Sequence, residues 1–252
     1  MLRTIYGFTY MWLFLIYSIP TLVKWKKATF EHMSVKERDA LVHNLPKRWA
    51  KGVVKTSGAR VEVKGEELLP DGPVLFVSNH QGNFDIPLLM GFVSKPIGFI
   101  SKVEVKKLPI ISHWMEVLPC IFMDRKDRRQ SVRAIQEGAR LLQKGHSMVI
   151  FPEGTRSKGG PIAEFKSGSF RLATKSGVPI VPITIDGSYR LFEEKGFLFQ
   201  PGDVTITIHP PINHDEYQSL EINELALMVQ QNIASQIVVN VNVDEQNGLS
   251  LD

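Results

Sequence analysis

Ser78-Asn79-His80-Gln81-Gly82-Asn83-Phe84-Asp85 is the stretch around which the chain is organised. The apolar run Pro73-Val74-Leu75-Phe76-Val77 leads into it and, bounded by Asp71-Gly72, reads as a short buried strand. Beyond it, Asp85-Ile86-Pro87 opens a second apolar stretch, Leu88-Leu89-Met90. Proline is tolerated only in the first turn of a helix, so this helix starts close to Asp85. His80 therefore lies on the strand-to-helix connection, where Asp85 can fold back toward the imidazole. On a regular helix two residues five apart share no face. A histidine ordered by a carboxylate, with no serine assigned to it, is a base for a hydroxyl that belongs to the substrate. On spacing alone a packed histidine beside an N-cap aspartate is the simpler reading.

A second stretch decides between them. Met148-Val149-Ile150-Phe151-Pro152-Glu153-Gly154-Thr155-Arg156-Ser157 is again a short apolar strand running into a charged loop. Together the two resemble the glycerolipid acyltransferase family, most closely its lysophosphatidic acid acyltransferase branch. That family carries an Asn-His-x4-Asp motif, here Asn79, His80 and Asp85, and a Phe-Pro-Glu-Gly-Thr-Arg motif, here Phe151 to Arg156. Between them lies an apolar-Asp-Arg motif, here Ile121-Phe122-Met123-Asp124-Arg125, and after them a Val-Pro-x-x-Pro segment, Val178 to Pro182. Two positions depart from the family pattern. Gly82 stands where a serine is usual, and Pro119-Cys120 where a glycine is usual.

Composition agrees with a folded globular core, at 43% apolar and 22% charged residues. Thirty Lys and Arg against 26 Asp and Glu give a formal charge of +4, which suits anionic phosphates or an anionic membrane face. The excess is too weak, and lacks the aromatic-basic motifs, for nucleic acid. A single cysteine, Cys120, excludes an intramolecular disulfide and fits a reducing compartment. No Cys/His pair has zinc spacing, and no metal is expected.

Ile5 to Val23 contains no charge, is rich in Tyr, Trp and Phe, and is flanked by Arg3 and by Lys24, Lys26 and Lys27. Its length is close to the ~20 residues a spanning helix needs, and its aromatics favour the membrane–water interface. Spanning and one-sided insertion are not separable here; the resemblance favours insertion. Ser34-Val35-Lys36-Glu37 is a capping-box pattern that opens a helix to about Trp49-Ala50, with a break expected near Pro46. Residues 1–55 thus read as a two-helix membrane-docking motif, 56–243 as an α/β domain, and 244–252 as a frayed tail.

Within 56–243, strand-like runs alternate with helical spacing, which predicts an α/β fold: a mixed sheet flanked by helices. Strands are expected at Val61–Val63, Val74–Val77, Ile97–Ile100, Leu118–Met123, Met148–Phe151 and Val204–Ile208. Helices are expected at Gln130–Lys144, stopped by Gly145, and from Leu220 to about Val239. Val178 to Ile185 reads as an irregular strand lining a pocket, because Pro179 and Pro182 oppose a central position.

The resemblance implies transfer of an acyl chain from a thioester to the free hydroxyl of 1-acyl-glycerol-3-phosphate, giving phosphatidic acid. It makes His80 and Asp85 the catalytic pair. Glu153, Gly154, Thr155 and Arg156 then bind substrate, and Arg125 and Arg156 together are expected to hold the acceptor phosphate, Arg156 through a planar fork matched to phosphate oxygens. Glu153 is expected either to bond the glycerol hydroxyl or to hold Arg156. Lys102 fits a phosphate contact and a plain loop lysine equally well. Backbone N–H groups at the start of the Asp85 helix are expected to stabilise the oxyanion. No cofactor is expected; the co-substrate is an acyl-coenzyme A or acyl carrier protein thioester. The expected location is the cell membrane, with the catalytic domain on its cytoplasmic face. The alternatives are the same chemistry on glycerol 3-phosphate or another lysophospholipid, and a non-catalytic lipid-binding protein.

Overall fold

The computed structural model describes residues 1–237. The tail 244–252 lies outside the described residues, as do positions 238 and 239 of the helix expected to reach Val239; that helix ends earlier, at Ala234. Helices α1 (Leu2–Tyr17), α2 (Ile19–Lys27) and α3 (Val35–Ser57) come first. They are followed by β1 (Arg60–Lys64), β2 (Leu75–Ser78), α4 (Asp85–Phe92), β3 (Gly98–Lys102), α5 (Ile111–Val117), β4 (Ile121–Met123), α6 (Arg128–Gln143) and β5 (Met148–Ile150). The rest is α7 (Arg171–Ser176), β6 (Ile180–Asp186), β7 (Asp203–Ile208), α8 (His214–Tyr217) and α9 (Ile222–Ala234).

The strands pair into one seven-stranded sheet of order β1-β7-β6-β2-β5-β3-β4. All neighbours run parallel except β6 and β7. Helices cover both faces, as the alternation of strand and helix requires. β2 and β5, the strands that carry the two charged loops, lie side by side in the middle, every residue buried. Their carboxyl ends therefore open at the same edge, where ligands bind in open α/β sheets.

Pro182 does not keep β6 at the margin. The strand runs Ile180–Asp186 between β2 and β7, and Ile180, Val181, Ile183 and Ile185 are sheet core rather than pocket wall. Pairing with β7 begins at Ile183↔Ile208, and the Pro182 carbonyl accepts from His209 N at 3.0 Å. The missing N–H faces that same side, opposite His209 just past the end of β7, so the proline removes only the reciprocal bond at the end of that ladder.

Likewise, Pro46 does not break α3. The capping box at Ser34 and Glu37 starts the helix, and it ends at Ser57 with Gly58 at φ 80°. Val42, Ala50, Val53 and Val54 of α3, with Leu15 of α1 and Leu22 of α2, belong to the same apolar cluster as Val74 and Phe76 of the sheet segment. That packing outweighs the one helix hydrogen bond a proline removes. α1 and α2 meet at Ser18, bent by 42°, with Pro20 in the first turn of α2. Among the described residues no single helix is long and apolar enough to cross a membrane; this bent pair together has the length and composition.

His43 of α3 is 4% exposed, and neither ring nitrogen has a hydrogen-bond partner. Burial first, then Lys47 beside it, pull its pKa down to about 4, against an opposing effect of Asp39. The unfolded chain binds a proton near 6.5 that the folded chain refuses until about 4, so stability rises with pH across that window and falls as pH drops through it. Urea unfolding should show about 3 kcal/mol of such loss traceable to this residue. His43→Leu should flatten the slope; an unchanged slope would remove His43 from the account.

Candidate active site

Each loop leaving the sheet is held by side chains that replace the missing ladder bonds. Asn79, where β2 ends, donates to Ile185 O at 2.8 Å and accepts from Ile185 N at 2.8 Å. Gln81 Oε1 accepts from Gly187 N at 2.9 Å and Ser188 N at 3.1 Å. The two charged loops pair directly: Ser157 N donates to His80 O at 2.8 Å, and Lys158 N to Gln81 O at 3.0 Å.

His80 Nδ1 lies 2.6 Å from Asp85 Oδ2. Asp85 is fully buried; Oδ2 also accepts from Gly82 N at 2.9 Å, and Oδ1 accepts from Ser188 Oγ. A carboxylate with these donors takes the Nδ1 proton as a hydrogen bond, so Nε2 is the basic nitrogen. Nε2 makes no protein hydrogen bond among the described residues, and the side chain is 18% exposed. The Phe151 ring stacks on the imidazole at 4.3 Å and 21°. Asp85 stands at the first position of α4 with Phe84 as N-cap, so its carboxylate serves the histidine.

A second pair, His146 Nδ1 and Asp39 Oδ2 at 2.6 Å, ties α3 to the start of β5 and is buried. The pairing alone therefore does not distinguish the two histidines; His80 differs in its open Nε2 at a carboxyl strand edge. Among the described residues no Ser, Thr, Cys or Lys side chain is hydrogen-bonded to that nitrogen. Burial pushes the Cys120 thiol up to about 12, which removes it as a nucleophile at neutral pH.

Glu153 neither bonds Arg156 nor points to an open pocket. It is 3% exposed and accepts from His80 N at 2.6 Å and Ala163 N at 2.9 Å, so it braces the main chain of the base. Burial raises its pKa, opposed by those two amides. The expected oxyanion donors are largely spent as well. The amides of Gly82, Asn83 and Asp85 are bonded to Asp85 Oδ2, Glu193 Oε1 and Gly82 O.

Residues 60–186 match the profile of a family described as Acyltransferase. The chain belongs to this acyltransferase family. It is 37% identical to the chloroplastic 1-acyl-sn-glycerol-3-phosphate acyltransferase BAT2 of Brassica napus, over 68% of this chain and 50% of that one. It is 30% identical to a Mycoplasma genitalium protein named "Probable 1-acyl-sn-glycerol-3-phosphate acyltransferase", over 73% of this chain and 72% of that one. The crystal structure of the 1-acyl-sn-glycerophosphate (LPA) acyltransferase PlsC from Thermotoga maritima superposes with a TM-score of 0.78 at 30% identity, covering 93% of this chain and 94% of that chain. The match spans about half the length of the first plant relatives, 50% for the Brassica napus protein.

In this member of the acyltransferase family the remaining motif residues divide. Arg156 donates to Asn83 Oδ1 and lies 3.7 Å from Glu193 Oε1, next to the base. Arg125 instead donates to Gly154 O and lines a cavity beside Phe151. Gly154 has φ 70°, and a Cβ there would lie 2.7 Å from Lys166 Nζ, so only glycine fits. Thr155 and Lys102 are exposed and make no side-chain hydrogen bond or ion pair among the described residues.

Ser188 and Glu193 carry the site and have no motif in the sequence. Their one local signal is the turn Asp186-Gly187-Ser188 at a strand end, with Gly187 at φ 93°. Glu193 accepts from Asn83 N at 2.7 Å and Asn83 Nδ2 at 2.8 Å, and its buried Oε2 has no partner. It also accounts for Gly82. A Cβ at Gly82 would lie 2.5 Å from Glu193 Oε2, so the serine usual in the family would require the Glu193 carboxylate to move. Gly82→Ser should displace Glu193 and Arg156, raising the acceptor KM by about tenfold. Adding Glu193→Ala should recover part of the loss by opening that space. A double variant no better than Gly82→Ser would rule this out.

Proposed function

We propose that the protein transfers an acyl chain from a thioester to the free hydroxyl of 1-acyl-glycerol-3-phosphate, forming phosphatidic acid. One observation carries the reading: His80 is held through Nδ1 by Asp85 and leaves Nε2 open, with no protein nucleophile bonded to it. A base without its own nucleophile acts on a hydroxyl brought by the substrate. Nε2 takes the hydroxyl proton as that oxygen attacks the thioester carbonyl. Asp85 stabilises the imidazolium. The tetrahedral intermediate then expels the thiolate, which takes the proton back from His80 and leaves as thiol. Arg156, bonded to Asn83 between His80 and Asp85, holds the acceptor phosphate.

Acyl chains need an apolar slot. An apolar crevice between α1, α3, α4 and α5, lined by Leu15, Leu45, Trp49, Met90 and Trp114, is of that character. We place the protein on the cytoplasmic face of the cell membrane, docked through α1 and α2. Leu2, Ile5, Tyr6, Leu13, Ile16 and Tyr17 are exposed there, an apolar face of the kind that lies in the headgroup boundary. Because α1 is built into the core, deletion would unfold more than an anchor. Leu13→Glu/Tyr17→Glu is the cleaner variant, both side chains being exposed. It should leave the circular dichroism spectrum intact and abolish cosedimentation with anionic vesicles. Retained vesicle binding would move the docking face elsewhere.

Purified protein assayed with lysophosphatidate, glycerol 3-phosphate and monoacylglycerol as acceptors tests the function. Lysophosphatidate should be strongly preferred. Preference for another acceptor would keep the chemistry and change the substrate. Lipid binding without turnover would make it a carrier.

A further inference from the structure

The segment 188–199, which follows β6, meets the catalytic loop at two points. Ser188 Oγ donates to Asp85 Oδ1, and Glu193 Oε1 accepts from Asn83 N at 2.7 Å. Gln200 N then donates to Leu191 O at 2.9 Å and closes 192–199 into a loop. Two rings of this loop pack inward. Phe192 and Phe199 lie 5.4 Å apart, and 6.3 and 5.1 Å from Phe84, the residue before Asp85. Phe8 of α1 packs against both, at 6.3 and 5.3 Å, and Phe199 N donates to Thr4 Oγ1 at 2.9 Å. The third ring does not. Phe197 touches Phe192 at 5.3 Å yet is 52% exposed, with Leu198 exposed beside it. Phe197 also holds φ 64°, a left-handed conformation that glycine takes freely and a phenylalanine does not. An aromatic ring kept in a strained conformation and left in water serves something outside the core.

We propose that Phe197 and Leu198 enter the lipid surface on which α1 docks, and that this contact steadies the segment behind Asp85 and Asn83, so that acyl transfer is fastest at a bilayer. The inference rests on the docking reading above and adds a regulation to it. Continuity names the occupant. Phe8 is itself exposed, shares a helical stripe with exposed Ile5 and Trp12, and joins that stripe to Phe192 and so to Phe197. Charge plays little part, because the loop sets Glu193 and Glu194 against the single Lys195. The attraction is therefore burial of apolar surface. Loops with an exposed tip open at the lowest free-energy cost. In water the tip rests on Phe192; in lipid it is held from the far side too, and with it the segment that presents Ser188 and Glu193.

Vesicles of phosphatidylcholine and phosphatidylglycerol, neither donor nor acceptor, test this when added to an assay of dissolved short-chain lysophosphatidate and acyl thioester. They should raise the wild-type rate by about tenfold, the worth of burying one such ring. Phe197→Gly should show no such rise and keep its rate without vesicles within about twofold of wild type. It should also unfold no earlier than wild type, since glycine holds φ 64° freely. Phe197→Leu, still apolar, should keep part of the rise. Absence of stimulation in wild type, or equal stimulation of wild type and Phe197→Gly, overturns the proposal. A loss in Phe197→Gly that is as large without vesicles as with them makes Phe197 a packing residue and overturns it too. Leu13→Glu/Tyr17→Glu reads the docking face separately, and should lose both vesicle binding and stimulation. If it keeps both while Phe197→Gly loses the stimulation, the α1 docking face falls and the loop contact stands.

Discussion

Replacing His80 with alanine should lower turnover by about 10²–10⁴-fold, the usual worth of a positioned general base. The fold should survive. The ring is tethered to Asp85 at 2.6 Å and stacked on Phe151, but the main chain at residue 80 is held separately by Glu153 and by Ser157. Asp85→Asn should be nearly as damaging. Ser188 Oγ and Gly82 N both donate to Asp85, so an amide there presents a donor where an acceptor is required. The imidazole then loses the tautomer that leaves Nε2 basic. Single-turnover acyl transfer, with circular dichroism as the folding control, reads both variants. If His80→Ala keeps more than about a tenth of the rate, His80 is not the base.

Arg156→Ala should raise the apparent KM for lysophosphatidate by about tenfold to a hundredfold, the loss of one charge-assisted contact of ~1.5–3 kcal/mol. The thioester KM should change little. Some fall in kcat is also expected. Arg156 donates to Asn83, which lies between His80 and Asp85, so its loss loosens the loop that aims the base. Lysine should rescue only in part, since it supplies charge without the planar fork. Monoacylglycerol, an acceptor without phosphate, is the control. Wild type should use it poorly, and Arg156→Ala should lose nothing further on it. Equal damage on both acceptors would assign Arg156 to the loop rather than to phosphate.

The His80–Asp85 pair was legible because its two members lie within one strand–loop–helix unit. Pro87 pins the start of α4, the apolar run pins the end of β2, and the six residues between them, 79–84, leave His80 and Asp85 facing each other. The Glu153 loop was legible as a partner through its motif, but the role of Glu153 was not. Its bonds to His80 N and Ala163 N depend on β5 lying next to β2, a pairing that sequence separation hides. Pro46 and Pro182 misled for a common reason. Proline statistics describe an average environment, whereas α3 is packed along one side into the core, and Pro182 sits just beyond the last β7 partner.

By itself the sequence determined the alternation of strands and helices, the two charged loops at the sheet edge, and the pairing of His80 with Asp85. Local propensity and short-range spacing suffice for these. Only the tertiary structure decided that Ser188 bonds Asp85, that Glu193 holds Asn83 with its carboxylate in the side-chain space of Gly82, and that Arg125 and Arg156 bond different loops, at Gly154 O and Asn83 Oδ1. These facts depend on β6 pairing with β2 across a sequence gap of about a hundred residues, which Asn79 and Gln81 secure by bonding Ile185, Gly187 and Ser188. Such contacts form when buried polar groups find partners in the assembled sheet, and no local pattern encodes which partners those will be.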